Sequence, residues 1–361
     1  MTCKRSSRWV EGEDMDNRAC NKLPYIIDLE PLTRVKPGPK VVLLQLPPGM
    51  RQYANTVAEC IEEILGSKII VQLDPVYGGC DLFYPQAREL LDADLIVHIG
   101  HTPYPTDISS PKSMPRGVRT IFLPALSKTN PTTSQIKVAA EILRSYGAGR
   151  PVVVSTAQHV HMLQDVMRAL EGLGLKPVVP KGVEPYFLDG QILGCDYRLA
   201  RSVRDADSYI YVGGGLFHPL GLYLATQKPT VQVDPYTGRT EDITPIGERT
   251  LKVRMYKVMK AMDAKNWALI IGLKTGQYRP WLTSLLGKQL RMTGRKYRLY
   301  ASDRLTLEDL RSLPPEHDSI VVTSCPRLPI DDLADFEKPV LTPGEAFMAI
   351  EGKLEPYRFP W

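Results

Sequence analysis

The sequence predicts an α/β protein: three similar αβ modules whose parallel sheets surround a pseudo-threefold central site. Three observations lead there. Apolar runs recur at a near-constant interval, with Val41, Val152 and Ala268 separated by 111 and 116 residues. An Asp-Ala-Asp tripeptide ends at Asp94 and recurs ending at Asp207, 113 residues on, each time leading into an apolar run. Downstream of each run lies one loop cysteine: in Gly79-Cys80-Asp81, in Gly194-Cys195-Asp196, and Cys325 after "DSIVVTS".

The runs "KVVLLQLPPG" (40–49), "RPVVVSTAQ" (150–158) and "NWALIIGLKTGQ" (266–277) are continuously apolar before their turns. Strands buried on both faces of a parallel sheet read this way. Each run is followed by a stretch of helical periodicity: "RQYANTVAECIEEILG", "HVHMLQDVMRALEGLG" and "YRPWLTSLLGKQLRMTG". All three stop at glycine, the residue that ends a helix without a Cβ clash. The expected organisation is a lead-in over 1–39 and modules over 40–150, 151–264 and 265–361, the third being the most diverged.

Composition excludes several classes. The 361 residues are 43% hydrophobic and 24% charged, too apolar for general disorder. No apolar run approaches the ~18 residues of a membrane span. The opening segment lacks the apolar core of a secretory signal, so a cytoplasmic location is expected. A net charge of +5 from 45 basic and 40 acidic residues gives no reason to expect direct nucleic-acid binding. The basic stretch Arg291–Arg298 reads first as a solvated face and second as a border for an acidic partner.

Six cysteines without a CxxC pair make neither a disulfide framework nor a compact zinc site. Cys60 falls on the apolar face of a helix and reads as core. Cys3 and Cys20 lie in the irregular lead-in and carry no signal. Cys80, Cys195 and Cys325 differ, because the loops that follow parallel strands are where such modules bind ligands. The glycines before Cys80 give its loop the freedom to reach a shared centre. Three thiolates from separate modules suit a 4Fe–4S cluster, which takes four ligands and then keeps one iron open. Zinc bound by three cysteines and His98, His101 or His218 is the rival.

"YVGGGLFHPLGLYLA" (211–225) places Gly213, Gly214 and Gly215 between a strand and a helix. Such a turn can offer backbone N–H groups to a carboxylate or a sugar, with His218 as a polar contact. It is not the dinucleotide GxGxxG, and "GLKTGQ" (272–277) lacks the spacing of a P-loop. The aspartates of "VQLDP" and "VQVDP" read as turn formers.

The segments Tyr77-Gly78-Gly79-Cys80-Asp81, Leu193-Gly194-Cys195-Asp196 and Thr323-Ser324-Cys325-Pro326-Arg327 resemble the cysteine motifs of the archaeal diphthamide synthase family, the 2-(3-amino-3-carboxypropyl)histidine synthases. The resemblance runs from about Leu23 onward. It implies three αβ domains that each give one cysteine, Cys80, Cys195 and Cys325, to a 4Fe–4S cluster in a homodimeric enzyme. It implies S-adenosylmethionine as co-substrate, bound near the open iron. One-electron reduction by a separate donor then gives a 3-amino-3-carboxypropyl radical and methylthioadenosine. The acceptor implied is one histidine of translation elongation factor 2. Gly213, Gly214, Gly215 and His218 are secondary candidates for contacting S-adenosylmethionine. Two alternatives share the plan: a dehydratase similar to quinolinate synthase, and a non-enzymatic iron–sulfur electron carrier.

Overall fold

A short strand, β1 (Tyr25–Ile27), leads into the first of three four-stranded sheets. The computed structural model describes residues 20–104 and 118–361; Cys3 and the remainder of 1–19 lie outside the described residues. The first sheet contains β2 (Val41–Gln45), β3 (Lys68–Val71), β4 (Leu95–Ile99) and β5 (Arg119–Leu123) in the order β3-β2-β4-β5, all parallel. β6 (Ala125–Ser127) turns back to pair antiparallel with β1. The second sheet holds β7 (Pro151–Ser155), β8 (Ser208–Val212) and β9 (Thr230–Asp234) in parallel, with β10 (Arg239–Asp242) antiparallel at its edge. The third contains β11 (Asn266–Gly272), β12 (Lys296–Ser302), β13 (Ser319–Val322) and β14 (Val340–Leu341) in the order β12-β11-β13-β14, all parallel.

The three sheets share one topology. In the first and third, the second strand of the module flanks the first, and the third strand lies on its other side. The second sheet has the same plan in reduced form. Isolated parallel bridges, Val152 with Val178 and Ser155 with Gln191, stand where a second strand would flank β7. The predicted apolar runs are the first strands β2, β7 and β11. The predicted helices follow them as Ala54–Leu65, Leu163–Gly172 and Pro280–Met292. Each reverses at a glycine with positive φ, at Gly66, Gly174 and Gly294. The middle helix starts later than its periodicity suggests, because Ala157–Met162 is a 3-10 turn.

The Asp-Ala-Asp repeat has a physical function, and it extends to the third module. Asp94 accepts from the backbone N–H groups of Lys40 (2.7 Å) and Val41 (3.2 Å). Asp207 accepts likewise from Gly149 (2.7 Å) and Arg150 (2.8 Å). Asp318 accepts from Lys265 (2.9 Å) and Asn266 (2.8 Å). Each aspartate stands just before the third strand of its module and holds the amino end of the first, where strand N–H groups lack ladder partners.

Two findings correct the sequence reading. Cys60 is buried as expected, but its sulfur lies in a disulfide with Cys20, tying the lead-in to the helix Ala54–Leu65. Cys20 therefore had a partner that its irregular surroundings concealed. The basic stretch Arg291–Arg298 does not border the cysteine loops. Arg295 donates to the carbonyls of Ala264, Met262 and Ile350, and Lys296 opens β12, so the stretch sits at the amino end of the third sheet. The cysteines lie at carboxyl ends, and in a parallel sheet those are opposite poles.

A buried ion pair fastens the helix Thr244–Met262 to the helix Pro343–Glu351. Arg254, on the helix Thr244–Met262, is fully buried and binds Glu345 bidentately through Nε (2.8 Å) and Nη2 (2.5 Å). Its remaining donors reach the carbonyls of Pro329 and Val340, both at 2.7 Å. Glu345 also accepts from the Thr342 N–H (2.8 Å) and the Tyr357 hydroxyl (2.7 Å). Every strong donor and acceptor of the pair is satisfied, the condition under which a buried charge pair is tolerated.

Candidate active site at the carboxyl ends of the sheets

Cys80 follows β3, in a loop that the third module embraces. The "GLKTGQ" segment, which carries no P-loop, supplies that embrace. Lys274 Nζ binds both carboxylate oxygens of Asp81 at 2.7 Å, and the Thr275 hydroxyl donates to the Leu82 carbonyl (3.0 Å). The Gly276 N–H donates to the Cys80 carbonyl (2.9 Å), and Gln277 Nε2 reaches Cys80 Sγ at 3.5 Å. Burial raises the Asp81 pKa, an effect that the charge of Lys274 opposes.

Two glycines make this approach possible. A Cβ on Gly79 would strike the Thr102 carbonyl oxygen and stand 3.1 Å from the Tyr104 nitrogen. A Cβ on Gly276 would lie 2.5 Å from Cys80 Cα and 2.6 Å from its Cβ. Gly276→Ala is therefore expected to destabilise the fold by about 1–3 kcal/mol, as overpacking does, and to lower the iron bound on reconstitution. Thermal melts and iron analysis check this; wild-type values in both would show that the Cys80 loop does not rest on Gly276.

Cys195 sits in a tight turn closed by the Leu193–Asp196 bridge. Its thiol lies 3.6 Å from the Tyr104 hydroxyl, and its carbonyl accepts from Trp361 Nε1 at 2.9 Å. Arg279 joins these parts. Its Nη2 donates to the Tyr104 hydroxyl (2.6 Å), and its Nη1 donates to the carbonyls of Ser324 (2.6 Å) and Thr323 (3.2 Å), next to Cys325. Its guanidinium also lies 4.3 Å from the Trp361 ring centroid, a cation–π contact.

All three thiols are free and half-buried. Burial pushes Cys195 and Cys325 up to about 12. The nearby thiol of Cys80 adds to both shifts, and Cys325 adds to that of Cys195. Cys80 is raised too, by burial first. Side-chain contacts tie the same loops together: Gln277 reaches Cys80 Sγ, Tyr104 lies against Cys195 Sγ, and Arg279 joins Tyr104 to the Ser324 carbonyl that precedes Cys325. Among the described residues, no three His, Cys, Asp or Glu side chains converge closely enough to ligate a single metal ion. The arrangement fits a cubane better than one zinc, because a cluster binds its thiolates through different irons and so holds them farther apart.

The third cysteine reaches the centre by a different route. Cys80 follows the second strand of its module and Cys195 follows the corresponding bridges, whereas Cys325 follows β13, the third strand. Counted from the repeated aspartates, Cys325 lies seven residues past Asp318, where the first module has His101 and the second Gly214. The third module has Arg304–Thr306 at the register of Cys80 and Cys195. Cys80 and Cys195 thus share a register to within two residues, and Cys325 does not.

The histidines group nearby. His98 Nε2 meets His101 Nδ1 at 2.9 Å, and His98 Nδ1 meets Gln45 Oε1 at 3.0 Å. Burial holds His98 well below the ordinary histidine range. It brings His101 down to about 4, with His218 contributing. His218 is also held at about 4, by burial and then by the charge of Arg327, and it stacks on Tyr211 at 5.9 Å. These rings are neutral at pH 7.

The Gly213–Gly215 turn is formed as predicted, between β8 and the helix Phe217–Thr226. Gln232 Nε2 clamps the carbonyls of Gly213 (2.8 Å) and Gly215 (3.1 Å). A side chain on Gly214 would stand 3.7 Å from both carboxylate oxygens of Asp234. That carboxylate makes the turn better suited to a hydroxyl or ammonium group than to a bare anion. Asp234 is itself a turn former, accepting from the N–H groups of Tyr236 (2.8 Å) and Thr237 (3.3 Å). Arg279, Tyr104 and Trp361 were not singled out from the sequence, since only folding brings them to the cysteines.

Comparison with known proteins agrees with this architecture. A sequence model for diphthamide synthesis proteins matches residues 46–358. The chain is 35% identical over 342 residues to the 2-(3-amino-3-carboxypropyl)histidine synthase of Pyrococcus horikoshii, covering 94% of this chain and 93% of that protein. It is 31% identical to the synthase subunit 1 of Gallus gallus, over 98% of this chain and 84% of that protein. The crystal structure of Dph2 from Pyrococcus horikoshii superposes with a TM-score of 0.78 at 31% identity, over 93% of this chain and 94% of that one. The structure of Dph2 with a 4Fe–4S cluster superposes at 0.75 with 32% identity, over 90% and 89% of the two chains. With most of its length matched in sequence and fold, the chain belongs to the diphthamide synthesis protein family.

Proposed function

We propose that this chain catalyses the first step of diphthamide formation, transferring the 3-amino-3-carboxypropyl group of S-adenosylmethionine to one histidine of translation elongation factor 2. The observation that supports the reading is that Cys80, Cys195 and Cys325 are all free and that the loops carrying them are linked through Gln277, Tyr104 and Arg279. The three cysteines are the residues that would hold a 4Fe–4S cluster, leaving one iron without a protein thiolate. When bound, the cluster supplies the electron that breaks the bond between the sulfonium and the methionine γ-carbon.

The chain's own groups then have defined tasks. Lys274, Thr275 and Gly276 hold the Cys80 loop in place, and Trp361 and Arg279 cover the Cys195 side. The Gly213–Gly215 turn, with Asp234 beside it, is suited to the hydroxyl or amino groups of the co-substrate. His101 and His218, neutral at pH 7, can take the proton that the acceptor ring carbon loses. The radical adduct must give up one electron with that proton to restore the imidazole, so the electron spent on breaking the sulfonium bond is recovered. The acceptor must already be held against the reactive carbon. The proposal includes a homodimer, a cytoplasmic site of action and an external one-electron donor.

Anaerobically reconstituted, reduced protein given S-adenosylmethionine is expected to release methylthioadenosine as its main nucleoside. With elongation factor 2 present, mass spectrometry should find the transferred group on a single histidine. Dominant 5′-deoxyadenosine would replace this chemistry with another bond cleavage. No cleavage by a fully reduced cluster would favour the dehydratase or the electron carrier.

A further inference from the structure

We propose that Arg279 is a positioning residue for the cluster, and that its guanidinium both sets the three-cysteine geometry and raises the cluster's reduction potential. The inference rests on the proposed function only in taking Cys80, Cys195 and Cys325 as cluster ligands.

One short segment of the third module, 274–279, reaches all three cysteine loops. Gly276 and Gln277 hold Cys80 through its carbonyl and its sulfur. Two residues on, Arg279 binds the carbonyls of Thr323 and Ser324 and so fixes the backbone entering Cys325. Through the Tyr104 hydroxyl the same guanidinium reaches Cys195 Sγ, with successive separations of 2.6 Å and 3.6 Å. Trp361 stacks on it and hydrogen-bonds the Cys195 carbonyl. A planar guanidinium presents several donors in fixed directions, which lysine cannot reproduce.

Its charge balance points the same way. Arg279 is half-buried, yet among the described residues it forms no ion pair with Asp or Glu. The neighbouring cation, Lys274, is matched by Asp81. Arg279 instead donates to neutral carbonyls and a phenol, while its positive field falls on three thiols. A sheltered cation of this kind calls for an anionic counterpart. A thiolate-ligated cluster is that counterpart, and it becomes more negative on reduction. A fixed positive charge beside it therefore stabilises the reduced form.

The test is a redox titration followed by EPR, with iron analysis on each reconstituted protein. At the wild-type midpoint, Arg279→Met is expected to shift the oxidised-to-reduced ratio about tenfold toward oxidised, which is 59 mV for one electron. Arg279→Lys should recover most of that shift while its signal broadens, because charge returns without the fork. Tyr104→Phe keeps the charge and removes the link to Cys195; a smaller shift in the same direction is expected. A wild-type cluster with an unmoved potential in Arg279→Met overturns this inference alone. If that variant binds no iron, an unmoved potential in Tyr104→Phe does so. An unmoved potential with a raised KM for S-adenosylmethionine overturns it by assigning the guanidinium to the substrate carboxylate. Wild-type protein that assembles no cluster overturns the cluster reading as well.

Discussion

Alanine at Cys80, Cys195 or Cys325 is expected to abolish the brown absorption of the reconstituted protein and the EPR signal of its reduced state. Each thiol is the sole cysteine of its loop, and each loop comes from a different module. Cys20 and Cys60 cannot substitute, since they are joined to each other against the helix Ala54–Leu65. Under the proposed function, removing one thiol leaves two protein donors for a cluster that would have only three. Iron and sulfide content should fall with the absorption, and methylthioadenosine formation should fall below detection. Cys60→Ala is the control and should keep the cluster at full strength. Full-strength clusters in all three single variants would show that the ligands lie elsewhere.

The second large effect is on stability. Arg254→Met and Glu345→Gln are each expected to cost about 3–5 kcal/mol, the usual penalty for stranding one member of a buried pair. The loss would extend beyond the pair, because Glu345 also holds Tyr357 and the Thr342 N–H. Replacing both charged residues with apolar ones should cost less than the sum of the single changes, since no stranded charge remains. For Glu345, burial opposes ionisation, but the charge and donors of Arg254 outweigh it and hold the pKa below the ordinary value. Its contribution is thus present above about pH 4.3, the unfolded-state value, and is lost as pH falls through the lower folded one. Urea unfolding at several pH values would measure this. Single variants that melt like wild type would mean the pair is not a fastening.

Much of this was legible in the sequence because it is written in local patterns. Apolar runs, glycine stops and the recurring Asp-Ala-Asp locate three first strands, their helices and the strand ends that carry the cysteines. The role of those aspartates was hidden, since the N–H groups they hold lie more than fifty residues upstream. The Cys20–Cys60 pair was missed for a related reason: an irregular lead-in carries no periodicity to show where it docks. Arg279, Tyr104 and Trp361 belong to no motif and come together only through contacts between modules. The first reading of Arg291–Arg298 as a solvated face stands, with most of the stretch exposed. Its second reading as a border failed because charge composition says nothing about which end of a sheet a segment occupies.

The three aspartate clasps lie at the amino pole of the sheets, and the reactive side chains lie at the opposite pole. Foundation and chemistry are therefore physically separated within each module. A change at the reactive pole leaves the clasp below it untouched, so copies of one module could diverge in chemistry without losing their architecture. The register seven residues past each clasp shows the result: one frame now holds an imidazole at His101, a bare backbone at Gly214 and a thiol at Cys325. One structural plan, used three times, thus carries three different groups at the same register.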